Sequence, residues 1–160
     1  MELGLIRPSS SPFASSIVMV KKKDGTLRMC IDFRALNKKI VNNRYPIPRI
    51  YELMDELHGS NFFSNINLRS SYHQIQMREE DIPKTVFRCH YGHFEFVSMP
   101  FDLKNAPTTF QSCINNVFHK QLRNLVLVFF DYILIYNKTW KEHLHHLEEV
   151  LKNLHDHFVC

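Results

Sequence analysis

A carboxylate isolated within an apolar stretch is the most chemically suggestive feature of this sequence. Asp131 divides residues 125–136 into two runs of β-branched and aromatic residues, 125–129 and 133–136. A short break between such runs is typical of a β-hairpin, so we expect Asp131 at the hairpin tip. An ionised carboxylate among apolar groups is costly unless a metal, a cation or water compensates it. The stretch predicts either a cation-binding acid or a solvated turn residue, and by itself does not distinguish them.

A second hairpin carries a concentration of positive charge. Residues 17–20 and 27–31 are strand-like, and Asp24-Gly25 supplies the turn between them. Lys21, Lys22 and Lys23 crowd its tip. Lysines there either protect a strand edge from pairing or bind phosphate, and the sequence leaves both readings open.

The composition predicts one globular domain. The chain has 160 residues, of which 44% are hydrophobic, enough for a core, and its formal net charge of +4 is compatible with a polyanionic partner. We find no signal peptide or membrane span and expect an intracellular location, cytoplasmic or nuclear, with no membrane partner. The four cysteines lack the paired spacing of zinc sites or disulfide frameworks, so we expect free thiols.

The elements that would position these residues are read from periodicity. Helices are predicted from about Pro48 to Gly59 and over residues 106–118 and 140–158. Strands are predicted at 62–68, 85–89 and 93–97, with an extended segment at 73–77. In the last helix we expect the apolar residues to face the core and the histidines to lie on the solvated side. The apolar residues are Leu144, Leu147, Leu151, Leu154 and Phe158. This order predicts an α+β fold, an antiparallel sheet with helices packed on one face.

Seven blocks, spread along nearly the whole chain, resemble in order the reverse transcriptase domain of long-terminal-repeat retrotransposons of the Ty3/Gypsy type. So many blocks in one order make a chance match very unlikely. The blocks are Ser11-Pro12-Phe13-Ala14-Ser15, Lys21-Lys22-Lys23-Asp24-Gly25, Arg28-Met29-Cys30-Ile31-Asp32-Phe33-Arg34-Ala35-Leu36-Asn37, Tyr45-Pro46-Ile47-Pro48, Leu68-Arg69-Ser70 with Tyr72-His73-Gln74-Ile75, Met99-Pro100-Phe101, and Asn105-Ala106-Pro107-Thr108-Thr109-Phe110-Gln111.

The resemblance implies a right-hand polymerase, with fingers at about 1–60 and 72–104 and palm at about 61–71 and 105–160. The thumb is absent and would lie beyond Cys160. Members of that family extend a primer with deoxynucleoside triphosphates, copying an RNA or DNA template with two Mg²⁺ ions held by three aspartates. Primer–template and deoxynucleotides are therefore the expected partners.

Several positions depart from the family pattern. Asn67 stands where the family has its first catalytic aspartate, and Tyr132 stands where the turn has its second, so only Asp131 is retained. Ser71 and Asp102 replace family glycines, and the Asp102 carboxylate would repel phosphate.

Other functional positions match. By resemblance, Lys22 and Arg28 would hold the triphosphate and Tyr72 would screen the sugar 2′ position. The remaining basic and amide positions are expected to face template or primer, although Lys104 and Gln111 are equally compatible with plain surface residues. These positions are Lys21, Lys23, Lys104 and Gln111.

The lost carboxylates decide the chemistry that we expect. In-line phosphoryl transfer uses two Mg²⁺ ions about 3.5–4 Å apart, whose repulsion several carboxylates must neutralise. Here the carboxylate charge falls from three to one, which predicts a rate loss of roughly four or more orders of magnitude and, at best, weak metal binding at Asp131. We favour a degenerate, truncated reverse transcriptase domain over two alternatives, a primer–template-binding module and an active enzyme with substituted ligands. Whether the chain is an enzyme stays open.

Overall fold

A computed structural model describes residues 4–68 and 71–157, except for the side chain of Ser71. Its strands are β1 (Ile6–Pro8), β2 (Ile17–Lys21), β3 (Leu27–Ile31), β4 (Phe62–Asn67), β5 (Phe87–Cys89), β6 (Gly92–Phe96), β7 (Val126–Phe129) and β8 (Tyr132–Asn137). Its α-helices are α1 (Arg34–Asn37), α2 (Ile50–Glu56), α3 (Ala106–Val117) and α4 (Trp140–His157). The α+β class and the hairpins predicted at residues 17–31 and 125–136 are confirmed, and the strands predicted at 85–89 and 93–97 pair as a further hairpin, β5-β6.

The chain divides into two compact units. The first contains residues Met1–Asn42 and Tyr72–Ala106, and the second contains Asn43–Ser71 and Pro107–Cys160. The first unit is interrupted after Asn42, so α2 belongs to the second unit. The assignment of these units to fingers and palm stays a prediction.

The first unit is built from a three-stranded antiparallel sheet, in the order β1-β6-β5, and the β2-β3 hairpin. Ile31, Phe33 and Phe87 form its buried cluster, against which partly buried side chains such as Phe96 pack. Since β2 and most of β3 are exposed, this hairpin contributes little to that core beyond Ile31 and the partly buried Ile17. Its tip is therefore open to solvent.

The second unit centres on an antiparallel sheet in the order β4-β8-β7. The alternation of side chains buries Val126, Val128, Ile133 and Ile135 on one face, on which α4 packs. The opposite face, with Leu127, Phe129 and Leu134, lines an apolar groove of about 330 Å³ together with residues of α2. The helices of this unit therefore occupy both faces of the sheet instead of one.

Two local predictions are wrong. Residues 73–77 do not form an extended segment throughout, because Ser71–Gln74 is a 3₁₀ turn in which the Ile75 N–H donates to the Tyr72 carbonyl at 3.2 Å. The inner face of α4 also differs from the leucine pattern. His143 is only 2% exposed, whereas Leu144 and Leu151 are 47% and 51% exposed. The predicted position of Phe158 lies outside the described residues.

A buried polar chain explains the orientation of α4. Ser64 Oγ lies 2.8 Å from His143 Nε2, and His143 Nδ1 lies 3.0 Å from Asn137 Oδ1. These contacts connect α4 to β4 and to the end of β8, so His143 rather than Leu144 faces the sheet. The solvated position predicted for the histidines is therefore wrong for His143, although His145 is exposed.

Two further findings concern the cysteines and the length and apolar content of the helices. Cys30, Cys89 and Cys113 are free thiols, as predicted, and Cys160 lies outside the described residues. Across residues 4–68 and 71–157, none of the helices has both the length and the apolar content needed to span a bilayer.

Candidate functional site

The turn between β7 and β8 holds Asp131 where the sequence predicts it. Phe129 and Tyr132 are the paired residues that close this hairpin, which leaves Phe130 and Asp131 as the two turn residues. Phe130 has a φ of 52°, a left-handed conformation that is uncommon for a residue other than glycine. The tight turn therefore depends on interactions that hold Phe130 in place.

The carboxylate of Asp131 is not committed to the protein. Asp131 is half-buried, and within residues 4–68 and 71–157 its side chain has no hydrogen-bond or ion-pair partner. Its backbone carbonyl accepts a hydrogen bond from the Leu68 N–H at 2.9 Å. The end of β4 is thus joined directly to the turn, and the carboxylate itself is free to face solvent or a cation.

Asn67 and Tyr132 lie side by side next to this acid. They are directly paired residues of the antiparallel β4-β8 ladder, and paired residues of such a ladder project from the same face of the sheet. Asn67 is exposed, and Tyr132 is 47% exposed. The structure therefore brings together all three positions that the sequence assigns to the catalytic centre.

The donor atoms at this centre do not fit a pair of magnesium ions. Mg²⁺ prefers several hard, anionic oxygens, and the three positions offer one carboxylate, one amide oxygen and one phenol. In the part of the chain that the structure describes, no group of three or more His, Cys, Asp or Glu side chains converges in a way that would hold a metal ion.

Gln111 supports the β7-β8 turn by a side-chain hydrogen bond, a role that the sequence did not predict. Its side chain is 0% exposed, and its Oε1 accepts a hydrogen bond from the Phe130 N–H at 2.7 Å. Its Nε2 donates to Asn115 Oδ1 at 2.9 Å and to the Val128 carbonyl at 3.2 Å. The expectation that Gln111 contacts template or primer needs correction, because a fully buried amide offers no surface to a nucleic acid.

In the first unit, the basic hairpin presents charge without neutralisation. Lys21, Lys22, Lys23 and Arg28 are exposed, and within the described ranges none of them forms a salt bridge. The turn is closed by hydrogen bonds between Lys22 and Thr26 and between Gly25 and Lys22, with Gly25 at a φ of +85°. The hairpin thus presents its basic side chains on a turn that backbone hydrogen bonds hold in place.

Asp24 stabilises this turn from within. Its Oδ1 accepts hydrogen bonds from the Thr26 hydroxyl at 2.6 Å and the Thr26 N–H at 2.9 Å, which lower the pKa of the Asp24 carboxyl. The one acid at the tip is therefore occupied by its own turn, and the charge facing outward is that of the lysines.

A small cavity of the first unit contains one predicted nucleotide-binding residue and one departure from the family pattern. Arg28, His73 and Asp102 line this volume of about 220 Å³. Burial lowers the pKa of His73, whose buried Nδ1 has no hydrogen-bond partner within the described ranges. Asp102 thus places a negative charge in the same cavity as Arg28, where it opposes the binding of phosphate.

The two remaining predicted positions also lie in the first unit. The ring of Tyr72 packs against Phe101 at 5.1 Å between centroids. Lys104 is exposed, and its backbone N–H donates to Asn37 Oδ1 at 2.8 Å. Their predicted contacts with sugar and template stay predictions.

Solved structures with the same architecture are reverse transcriptases. A crystal structure of the prototype foamy virus protease-reverse transcriptase aligns with a TM-score of 0.87 and 21% identity, covering 98% of this chain and 21% of that chain. A foamy viral protease-reverse transcriptase in complex with RNA/DNA hybrid aligns with a TM-score of 0.87 and 23% identity, covering 96% and 20%. The fold is that of polymerase fingers and palm.

Sequence relatives show the family. The family described as "Reverse transcriptase (RNA-dependent DNA polymerase)" matches residues 20–160. The retrovirus-related Pol polyprotein from transposon 297 of Drosophila melanogaster is 41% identical over 158 residues, and the transposon Tf2-3 polyprotein of Schizosaccharomyces pombe is 39% identical over 154 residues. This chain belongs to the reverse transcriptase family, and these relatives confirm the Ty3/Gypsy resemblance. Each match covers 96% of this chain but only 15% and 12% of the respective polyprotein.

Proposed function

We propose that this chain is a reverse transcriptase domain that binds primer–template nucleic acid but does not catalyse nucleotide addition. The observation that carries the proposal is the donor set around the β7-β8 turn, where Asn67 and Tyr132 adjoin the single carboxylate of Asp131. The binding part of the proposal depends on the basic hairpin of the first unit.

The loss of catalysis follows from charge. Two Mg²⁺ ions about 4 Å apart repel each other by roughly 17 kcal/mol at an effective dielectric of about 20. Three carboxylates carry a charge of −3 against +4 on the metals, whereas one carboxylate carries only −1. Because Asn67 and Tyr132 add neutral oxygens, the second ion has no counter-charge from these three positions. Without the ion pair, the negative charge that develops in phosphoryl transfer is not stabilised.

The retention of binding is supported by the exposed, unpaired cations at the tip of the β2-β3 hairpin. Lysine and arginine side chains that contact phosphates release condensed counterions, which is the main source of sequence-independent affinity for nucleic acids. Foamy viral enzymes of the same fold have been solved with RNA/DNA hybrid and with double-stranded DNA. A nucleic-acid duplex is therefore the proposed partner.

Primer extension tests the catalytic part. The wild-type chain and Asp131→Ala are incubated with labelled primer–template, deoxynucleotides and either Mg²⁺ or Mn²⁺. We expect the two proteins to give the same background, because Asp131 alone does not assemble a metal pair. Incorporation by the wild-type chain clearly above that of Asp131→Ala would show that other groups replace the lost ligands, and would overturn this part of the proposal.

Salt-dependent binding tests the nucleic-acid part. In Lys21→Ala/Lys22→Ala/Lys23→Ala we expect weaker binding to duplex primer–template and a salt slope reduced by up to about 2.7, since each phosphate contact contributes about 0.9. The control replaces three exposed lysines of the second unit, and so changes net charge equally: Lys138→Ala/Lys141→Ala/Lys152→Ala. Equal losses of affinity in the two triple variants would mean that only net charge matters, and would count against a binding surface on the hairpin.

A further inference from the structure

The second unit contains a further cavity, which shares Leu53 and Leu127 with the apolar groove. It has a volume of about 390 Å³ and is bordered by the segment leading into α2, by α3 and by β7. This volume falls within the range of small-molecule sites. Its lining combines an apolar surface, to which Pro46, Leu53 and Leu127 contribute, with a few polar groups, a composition typical of a ligand pocket.

Two guanidinium groups and one carboxylate border this cavity. Arg49 and Arg123 line it together with one acid, Glu52. Among the residues that the structure describes, Arg49 has no ion-pair partner, while Arg123 Nε lies 3.5 Å from Glu56 Oε1. Guanidinium groups form charge-assisted, forked hydrogen bonds with phosphate and carboxylate, so Arg49 is the available anchor.

The backbone of Arg123 adds an independent feature. Its φ of 64° is left-handed, an uncommon conformation for a bulky residue, and its N–H donates to the Val126 carbonyl at 2.9 Å. Strained backbone of this kind persists where the surrounding structure fixes it, and it is concentrated at ligand sites.

Hydrogen bonds connect this cavity to the turn that holds Asp131. Asn115 Nδ2 donates to the Tyr45 hydroxyl oxygen at 2.9 Å, and Tyr45 lines the cavity. Gln111 Nε2 donates to Asn115 Oδ1 at 2.9 Å, and Gln111 Oε1 accepts from the Phe130 N–H at 2.7 Å. Because the Tyr45 oxygen already accepts a hydrogen bond, its own O–H is oriented away from Asn115 and can donate to a ligand.

We propose that this cavity binds a small organic phosphate, and that its occupancy is transmitted through Tyr45, Asn115 and Gln111 to the turn at Phe130. Arg49 would bind the phosphate, and the apolar surface would contact the organic part. This inference goes beyond the proposed function and does not depend on it, since it invokes neither catalysis nor a nucleic-acid duplex.

Titration of the ¹⁵N-labelled chain with phenyl phosphate, followed by NMR, tests the site. We expect saturable shifts for residues around the cavity and for the Phe130 amide, with affinity about tenfold higher than for inorganic phosphate, because phosphate alone does not use the apolar surface. Arg49→Gln should weaken binding about tenfold. Arg44→Gln removes an exposed charge that does not line the cavity and should leave the affinity unchanged.

A second variant tests the connection between the cavity and the turn at Phe130. Tyr45→Phe removes only the hydroxyl group, so the fold should persist, and the spectrum of the unliganded protein checks this. We expect phenyl phosphate still to bind, a few-fold more weakly, while the ligand-induced shift at Phe130 is lost. Unsaturable shifts, equal affinity for inorganic phosphate, equal effects of Arg44→Gln and Arg49→Gln, or an undiminished Phe130 shift in Tyr45→Phe would each overturn the proposal.

Discussion

Replacement of Gln111 by leucine should destabilise the turn that carries Asp131. In the native chain the Gln111 amide satisfies the Phe130 N–H, the Val128 carbonyl and Asn115 Oδ1 at distances of 2.7, 3.2 and 2.9 Å. Leucine has a similar volume but no polar atom, so packing is largely kept while each of these three groups loses a hydrogen bond.

The magnitude follows from burial. A buried donor or acceptor left without a partner costs about 1–3 kcal/mol, and the Gln111 side chain is 0% exposed. Some of these groups relax toward other partners, so we expect the free energy of unfolding to fall by about 3–5 kcal/mol. That is a large part of the roughly 5–15 kcal/mol typical of a domain.

Two measurements check this prediction. Urea denaturation gives the change in unfolding free energy, and hydrogen exchange reports directly on the Phe130 N–H, which should exchange much faster in Gln111→Leu. The matched control is Gln76→Leu, the same substitution at an exposed position, which should change stability by under about 0.5 kcal/mol. A loss below about 1 kcal/mol in Gln111→Leu, or unchanged protection of the Phe130 amide, would refute the supporting role of Gln111.

Two further predictions concern other parts of the chain. His143→Ala should lower the free energy of unfolding by about 3 kcal/mol, because it removes hydrogen bonds to Ser64 and Asn137 and leaves a cavity. The exposed control His145→Ala should change it by under about 0.5 kcal/mol. Similar losses for the two variants in urea denaturation would contradict the orientation of α4. The side-chain hydrogen bonds from Arg34 lower the pKa of Asp32 from 3.8 to about 2, so this pair stabilises the folded state above about pH 3.8 and loses that contribution as the pH falls toward 2. In Arg34→Gln, the pKa of the Asp32 carboxyl, measured by ¹³C NMR titration, should therefore move back toward 3.8. An unchanged pKa would exclude Arg34 as the cause.

The parts of the fold that local pattern determines could be predicted. The β7-β8 hairpin follows from two apolar runs around Phe130 and Asp131, and the β2-β3 hairpin follows from Asp24-Gly25 between two strand-like runs. In each case, the interactions that form the hairpin are between residues close in sequence. The three positions of the predicted catalytic centre come from the family resemblance, and the β4-β8 register pairs two of them, Asn67 and Tyr132.

The parts that depend on distant partners could not be predicted. The leucine spacing of α4 favours Leu144 and Leu151 as core residues, but the helix is oriented by the contact of His143 with Ser64, 79 residues earlier in the chain. The sequence pattern predicts Gln111 as a surface amide on an amphipathic helix. Only the structure shows that its side chain accepts a hydrogen bond from the Phe130 N–H. The 3₁₀ turn at Ser71–Gln74 likewise contains Tyr72, whose packing against Phe101 is non-local.

The central claim is that a lone carboxylate beside an amide and a phenol does not hold two metal ions. Manganese binding, followed by the loss of the free Mn²⁺ signal in electron paramagnetic resonance, tests this claim most directly in the wild-type chain and in Asn67→Asp/Tyr132→Asp. We predict that the double variant, which restores two carboxylates at paired positions next to Asp131, binds two ions at this centre and loses both with Asp131→Ala. The wild-type chain should bind no such pair. Two ions bound by the wild-type chain, and lost with Asp131→Ala, would contradict the account.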